Sequence, residues 1–113
     1  MSRHRPEVSL RQMLEHAEEA ISLAEGKSRT DLDTDRTLCL ALLKLVEIVG
    51  EAARRIPEEE QEKHPGIPWP EIIAMRNRLV HAYDSINLDV LWNIVRKDLP
   101  QLANELRKTV DFP

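Results

Sequence analysis

The stretch TLCLALLKLVEIVGEAARRI, residues 37–56, decides the fold expected for this chain. Its apolar side chains recur every three or four residues, which is the spacing of one face of an α-helix. The pattern predicts a long helix from about Thr34 to Arg55, ended by Pro57. The members of this stripe are Leu38, Leu42, Leu45, Val46, Val49, Ala53 and Ile56. Three more apolar residues broaden it beyond one face, so we expect this helix to be central or covered by a partner. These residues are Leu40, Leu43 and Ile48.

The segments before this helix predict a first helix and a polar connection. Ser9 and Gln12 have the spacing of a capping box, which predicts a helix start near Ser9. Gly26 stands where a left-handed residue would end that helix. The polar connection offers three candidate caps for the central helix: Asp31, Asp33 and Thr34.

The segments after it predict two more helices. The prolines of PGIPWP, residues 65–70, predict an extended connection. A third helix is expected over roughly 70–82, and Asn87 is expected to cap a last helix that is kinked at Pro100 and reaches about residue 110. The fold class predicted is therefore all-α, an antiparallel four- to five-helix bundle forming a single domain over residues 1–113.

Composition limits the class of protein. The chain has 113 residues, of which 42% are hydrophobic, and this suits one modest core. The net charge of −4 argues against nucleic-acid binding through the charge of the whole surface, but leaves room for a local basic site. The single cysteine, Cys39, lies among leucines and is expected to be a core residue. The chain offers no apolar segment of a signal peptide or membrane span, so a soluble, cytoplasmic protein is expected.

The segment RNRLVHAY, residues 76–83, carries the residues best suited to chemistry. On a helix, Asn77 and His81 share one face, whereas Arg76 and His81 diverge by about 140° and can only border a common groove. Histidine exchanges protons near neutral pH, and arginine binds a phosphate through a fork of donors. RNA supplies its own 2′-hydroxyl as nucleophile. This set can cleave a phosphodiester without a metal, but the spacing alone favours the alternative, in which His81 is a buried, hydrogen-bonded core residue.

No cofactor or metal is expected. The four histidines do not stand at metal-ligand spacing, and no cysteine/histidine cluster accompanies them. The sequence also contains no nucleophile elbow of a serine hydrolase and no glycine-rich phosphate loop.

Three segments, taken in order along the chain, resemble the HEPN superfamily. Residues 43–56 resemble its second-helix signature, residues 64–84 its most diagnostic stretch, and residues 88–106 its last helix with a Leu-Pro kink. Within that superfamily, the chain resembles the HepT-like toxins that are encoded beside a minimal nucleotidyltransferase antitoxin, the HepT/MntA systems. The resemblance extends from residue 10 to about residue 108.

This resemblance implies a function and names its residues. The family pattern of arginine, four residues, histidine, one residue and tyrosine is met by Arg76, His81 and Tyr83, with Asn77 in the supporting position after the arginine. It implies a metal-independent endoribonuclease with Arg76 and His81 catalytic, in a homodimer whose two motif helices build one cleft. It also implies that Tyr83 is modified with AMP by the partner nucleotidyltransferase, which silences the toxin as in a type VII toxin–antitoxin system.

Two questions stay open from the residues. The acidic composition and the lack of an obvious basic stripe keep a second hypothesis, a non-catalytic helical subunit that binds nucleotide or the nucleotidyltransferase. Three arginines, Arg54, Arg55 and Arg78, are candidates for further phosphate contacts, with ordinary surface solvation as the favoured alternative.

Overall fold

The computed structural model describes residues 5–79 and 85–109, and every regular element in these two ranges is helical. The elements are α1 (Pro6–Ala24), α2 (Asp31–Thr34), α3 (Arg36–Arg54), α4 (Glu58–Gln61), α5 (Trp69–Ile73), α6 (Met75–Leu79), α7 (Leu88–Asn93), a π-helical segment (Ile94–Asp98) and α8 (Leu99–Thr109). The predicted all-α helical bundle is therefore confirmed. None of the described helices is both long and apolar enough to cross a membrane.

The core forms where α1 packs along α3 and α8. All seven residues of the predicted stripe are buried, six of them on α3 and Ile56 just after its end. Helix α1 packs against this stripe with a buried face of its own. The apolar residues of that face are Leu10, Met13, Leu14, Ala17, Ala20 and Ala24. The large side chains occupy the first half of this face and the alanines the second half, where the small side chains allow the two long helices to approach closely. Cys39 belongs to the core, as expected, and burial raises the pKa of its thiol.

The start of α1 differs from the prediction. The helix begins at Pro6, whose missing N–H costs nothing in a first turn, and Arg5 is the residue before it. Ser9 lies inside the helix and is fully buried, so the predicted capping box with Gln12 is wrong. The predicted end is confirmed, because Gly26 adopts a φ of 76° in the left-handed region.

Helix α3 is capped by Asp35, not by the three candidates proposed above. The Asp35 carboxylate accepts a hydrogen bond from the Leu38 N–H at 3.0 Å. Asp31, in α2, instead accepts from the Ser28 N–H at 2.7 Å. The caps were misassigned because the polar connection forms the additional short helix α2, which the periodicity did not indicate.

The proline-rich connection turns instead of extending. The Trp69 indole N–H donates to the carbonyl oxygens of Gln61 and His64, at 3.0 and 3.1 Å. Ile67 and Trp69 are buried. Burial of these two apolar side chains outweighs the preference of prolines for extended backbone, so the segment closes over the end of the core.

The predicted third helix is interrupted at Ala74, which has φ −85° and ψ 0° and separates α5 from α6. Helical hydrogen bonds still form on each side of the break. The Ala74 N–H donates to the Pro70 carbonyl, and the Arg78 N–H donates to the Ala74 carbonyl. Helix α5 lies so close to α3 that a Cβ on Gly50 would stand 3.3 Å from the Ile72 carbonyl oxygen. No proline or glycine marks the break at Ala74, so composition did not reveal it.

The last helix is irregular next to Pro100, as predicted, and the irregularity is a π-helical turn. The Leu99 N–H donates to the Ile94 carbonyl, five residues back, instead of four. Pro100 has no N–H, and its ring would clash with the carbonyl of Arg96 in a regular helix. The wider turn accommodates the ring while the helix continues as α8. The predicted cap at Asn87 is confirmed, since its side chain accepts from the Val90 N–H at 3.1 Å.

The α1–α3 contact is tested by comparing two leucines on α1. Leu14 is fully buried and Leu23 is 39% exposed. We expect Leu14→Ala to lower the free energy of unfolding by about 2–5 kcal/mol, because it removes apolar contacts and leaves a cavity. Leu23→Ala should cost less than about 0.5 kcal/mol. Urea denaturation at one fixed chain concentration measures both, and equal losses would contradict this packing.

Candidate active site

Helix α6 presents the run Arg76-Asn77-Arg78 to the surface. Met75 and Leu79, on either side of the run, are fully buried and anchor the helix in the core. The three polar residues between them are exposed. The two buried anchors thus fix the orientation of this short helix, so that its three polar side chains face solvent.

Arg76 reaches the outer face of α3. Its Nε lies 3.4 Å from the Glu47 Oε2 and donates a hydrogen bond to it. The Arg76 side chain remains 66% exposed, whereas that of Glu47 is 30% exposed. The pair borders a cavity of about 380 Å³, which we call the Arg76 cavity. Its lining residues are Gln12, Lys44, Glu47, Ile48, Glu51, Ala52, Arg55 and Arg76.

The Arg76 cavity is a local basic site on an acidic chain. Its lining carries three cations, Lys44, Arg55 and Arg76, against the two carboxylates Glu47 and Glu51. The excess of one positive charge contrasts with the net charge of −4 of the whole chain. The guanidinium of Arg76 can bind a phosphate oxygen here and stabilise charge that develops on it.

The three arginines proposed as further phosphate contacts separate into different environments. Arg55 lines the Arg76 cavity, with its Nε 4.0 Å from Glu51. Arg54 donates to Glu51 at 2.7 Å, and this hydrogen bond lowers the pKa of the carboxyl and raises the pKa of the guanidinium. Arg78 donates to Asp98 at 3.0 Å and lines a separate cavity of about 810 Å³ between α5 and α8. The structure thus brings Arg55 near Arg76 and directs Arg78 elsewhere.

Two residues of the predicted site, His81 and Tyr83, lie outside the described residues. Leu79 and Asn87, which flank that part of the chain, are joined by a hydrogen bond from the Asn87 N–H to the Leu79 carbonyl at 2.8 Å. Asn77 is exposed, and among the described cavities it lines neither that of Arg76 nor that of Arg78. Of the predicted site residues, Arg76 is therefore the one that the structure assigns to a cavity.

The two described histidines, His16 and His64, contact residues of their own local segments. His16 donates from its Nδ1 to the Gln12 carbonyl at 2.7 Å. His64 lies 3.6 Å from Glu60, and its Nε2 is buried without a hydrogen-bond partner in residues 5–79 and 85–109. Over the same two ranges, no three histidine, cysteine or acidic side chains are grouped so that they could hold a metal ion.

Sequence reasoning named Arg55 as a candidate but missed Lys44, Glu47 and Glu51, the other charged residues on the α3 side of the cavity. Lys44, Glu47, Glu51 and Arg55 recur at three- and four-residue spacing and so form a polar stripe opposite the buried one. This stripe was a readable signal, but it looks like any solvated helix face. The stripe becomes part of a candidate site only because Arg76 contacts it, and Arg76 lies 29 residues beyond Glu47 in the sequence.

Sequence comparisons identify the family. Residues 13–109 match the family described as Ribonuclease HepT-like. "Probable ribonuclease HepT" of Thermococcus cleftensis is 38% identical over 99 residues, which are 84% of this chain and 90% of that protein. "Putative RNase TTE0752" of Caldanaerobacter subterraneus subsp. tengcongensis is 34% identical over 103 residues, 91% of this chain and 92% of that protein. "Putative RNase MJ1380" of Methanocaldococcus jannaschii is 32% identical over 106 residues, 94% of this chain and 97% of that protein.

No solved structure matches the chain. The family match covers most of its length, and the three relatives are covered almost end to end. The chain therefore belongs to the HepT-like ribonuclease family of the HEPN superfamily.

Proposed function

We propose that this chain is the toxin of a toxin–antitoxin pair and cleaves cellular RNA as a metal-independent endoribonuclease. The observation that carries the proposal is Arg76, an exposed guanidinium at a locally basic cavity. Membership of the HepT-like ribonuclease family supports the same reaction. The surplus of cations in the cavity suits the phosphate backbone of RNA, even though the chain as a whole is acidic.

The reaction follows from the chemistry of the proposed residues. The 2′-hydroxyl oxygen of the RNA attacks the adjacent phosphorus, and the bond from phosphorus to the 5′-oxygen breaks. Arg76 binds the phosphate and stabilises the negative charge that builds on its oxygens. His81 exchanges the proton of the nucleophile or of the leaving oxygen, and Asn77 orients the phosphate or the histidine. The products are a cyclic phosphate end and a free 5′-hydroxyl.

RNA cleavage by variants of Arg76, His81 and Arg78 tests the proposed reaction. Arg76→Ala should lower RNA cleavage by about 10²–10³-fold, because it removes the group that stabilises the developing charge. His81→Ala should lower it by about 10²–10⁴-fold. Arg78→Ala is the matched control, since Arg78 pairs with Asp98 at the other cavity, and should retain cleavage. The assay follows a labelled RNA with EDTA present, beside the same RNA carrying a 2′-deoxyribose at the cleaved position.

Four results would contradict the proposal. These are equal cleavage by wild type and Arg76→Ala, cleavage of the deoxy substrate, loss of cleavage in EDTA, or no RNA cleavage by the wild type. A wild type that cleaves nothing but binds its nucleotidyltransferase tightly would favour the non-catalytic subunit instead.

We also propose that two copies associate through the outer face of α3. Leu40 is 45% exposed on this helix, and Ile48, two turns further on, lines the Arg76 cavity. A symmetric contact across this face would cover the exposed leucine and bring both copies of Arg76 to one cleft. The pairing would double the local positive charge where the RNA phosphate binds.

Substitution of Leu40 tests the dimer. Leu40→Lys should dissociate the pair, because it places a charge in the apolar contact, and should lower cleavage per chain. Gln101→Lys adds the same charge on α8, beside the other cavity, and should leave the dimer intact. Sedimentation equilibrium distinguishes a single chain of 13.1 kDa from a pair. A wild type that sediments as a monomer while cleaving RNA would refute the shared cleft.

The proposed antitoxin is a minimal nucleotidyltransferase that modifies Tyr83. The tyrosine oxygen attacks the α-phosphorus of ATP, pyrophosphate leaves, and the phenolic proton passes to a base. Tyr83 is the single tyrosine of the chain, so one substitution, Tyr83→Phe, removes every tyrosine that could carry the group. It lies two residues from His81, where an added phosphate would repel the RNA backbone.

Incubation with the partner enzyme and ATP tests the modification. We expect the mass of one adenylyl group on wild type, none on Tyr83→Phe, and loss of RNA cleavage by the modified protein alone. An adenylyl group on Tyr83→Phe, or modified protein with full cleavage, would contradict this control mechanism.

A further inference from the structure

We propose that Glu47 is a positioning residue for Arg76, and the proposal rests on the function proposed above. The Glu47 carboxylate accepts from the Nε of Arg76 at 3.4 Å. Nothing in the RNRLVHAY segment indicates this partner, because it lies on a different helix, 29 residues earlier in the chain.

The choice of nitrogen leaves the phosphate-binding edge of Arg76 open. A guanidinium has five N–H donors, one on Nε and four on the two terminal nitrogens. Glu47 takes the Nε donor, and in the described residues no other side chain accepts from Arg76. The two terminal nitrogens thus keep the pair of parallel donors that binds a phosphate. The carboxylate orients the arginine without occupying the edge that its substrate needs.

Glu47 is itself held more firmly than Arg76. It stands on the long helix α3, next to Val46 and close to Val49, both fully buried. Arg76 stands on α6, a helix of five residues, and its side chain is 66% exposed. An exposed arginine explores many rotamers, so a fixed acceptor on a rigid neighbouring helix restricts where its guanidinium lies.

Two nearby carboxylates serve as controls. Glu51 stands one turn along the same face of α3 and lines the same cavity, but it pairs with Arg54 and Arg55. Asp98 pairs with Arg78, two residues from Arg76 on α6, and lines the other cavity. Loss of Glu51 reports the removal of a negative charge from the cavity, and loss of Asp98 reports a broken ion pair on α6.

Kinetics of RNA cleavage separate these effects. Glu47→Ala should lower kcat by about 10- to 100-fold, as expected for a misplaced catalytic group. Its KM should fall as in Glu51→Ala, because either change removes one charge that repels RNA. Asp98→Ala should change neither constant. Glu47→Gln should recover part of kcat, since its amide oxygen still accepts from Nε. Thermal unfolding of each variant checks that it is folded.

A second measurement does not depend on activity. The Nε–H resonance of Arg76 in a ¹⁵N NMR spectrum, assigned by its absence in Arg76→Ala, should shift in Glu47→Ala and stay in place in Glu51→Ala. If the wild type cleaved no RNA, the proposed function would fail. The resonance would still show whether Glu47 contacts the Nε of Arg76. An unshifted Arg76 resonance in Glu47→Ala would overturn the proposal. So would equal kcat in Glu47→Ala and Glu51→Ala, or a higher kcat in Glu47→Ala, which would make Glu47 a competitor of the phosphate.

Discussion

The rest of the structure depends on the burial of one face of α3 against α1. The buried apolar stripe of α3 packs against the alanine-containing face of α1, and α8 closes the core beside them. This contact fixes the rotation of α3 about its own axis. Because the opposite face of a helix is then fixed too, the same packing sets Lys44, Glu47 and Glu51 outward. The site is thus a consequence of the core on the other side of the helix.

The short helices α5 and α6 bring the second half of the site to that face. Gly50 permits the backbone of Ile72 to approach α3 closely, and Met75 and Leu79 anchor the next turn in the core. With these contacts made, Arg76 lies on the solvent-facing side of α3 and contacts Glu47 there. An arginine on an isolated helix of five residues would have no such fixed location, since a helix of that length is not stable by itself.

Charge in this protein is organised locally, not globally. Several ion pairs of the described residues lie at the surface, where such pairs contribute little to stability. Their arrangement still matters to the site. Arg54 engages Glu51 and lowers the pKa of that carboxyl, while Arg78 is occupied by Asp98. Arg76, by contrast, is held by Glu47 and remains 66% exposed beside the cations that line its cavity. An acidic chain can therefore present a site that attracts a phosphate.

The sequence by itself determined the helical class, the buried stripe of α3, the ends at Gly26 and Asn87, and the irregularity next to Pro100. These depend on periodicity and on residues with special backbone properties, which act over one or two turns. The sequence also singled out Arg76, through its motif. Only the tertiary structure decided that Asp35 caps α3, that the helix breaks at Ala74, that the proline-rich segment turns, and that Glu47 meets Arg76. Each of these depends on a choice between competing contacts or on side chains far apart in the chain, and local spacing carries no information about them.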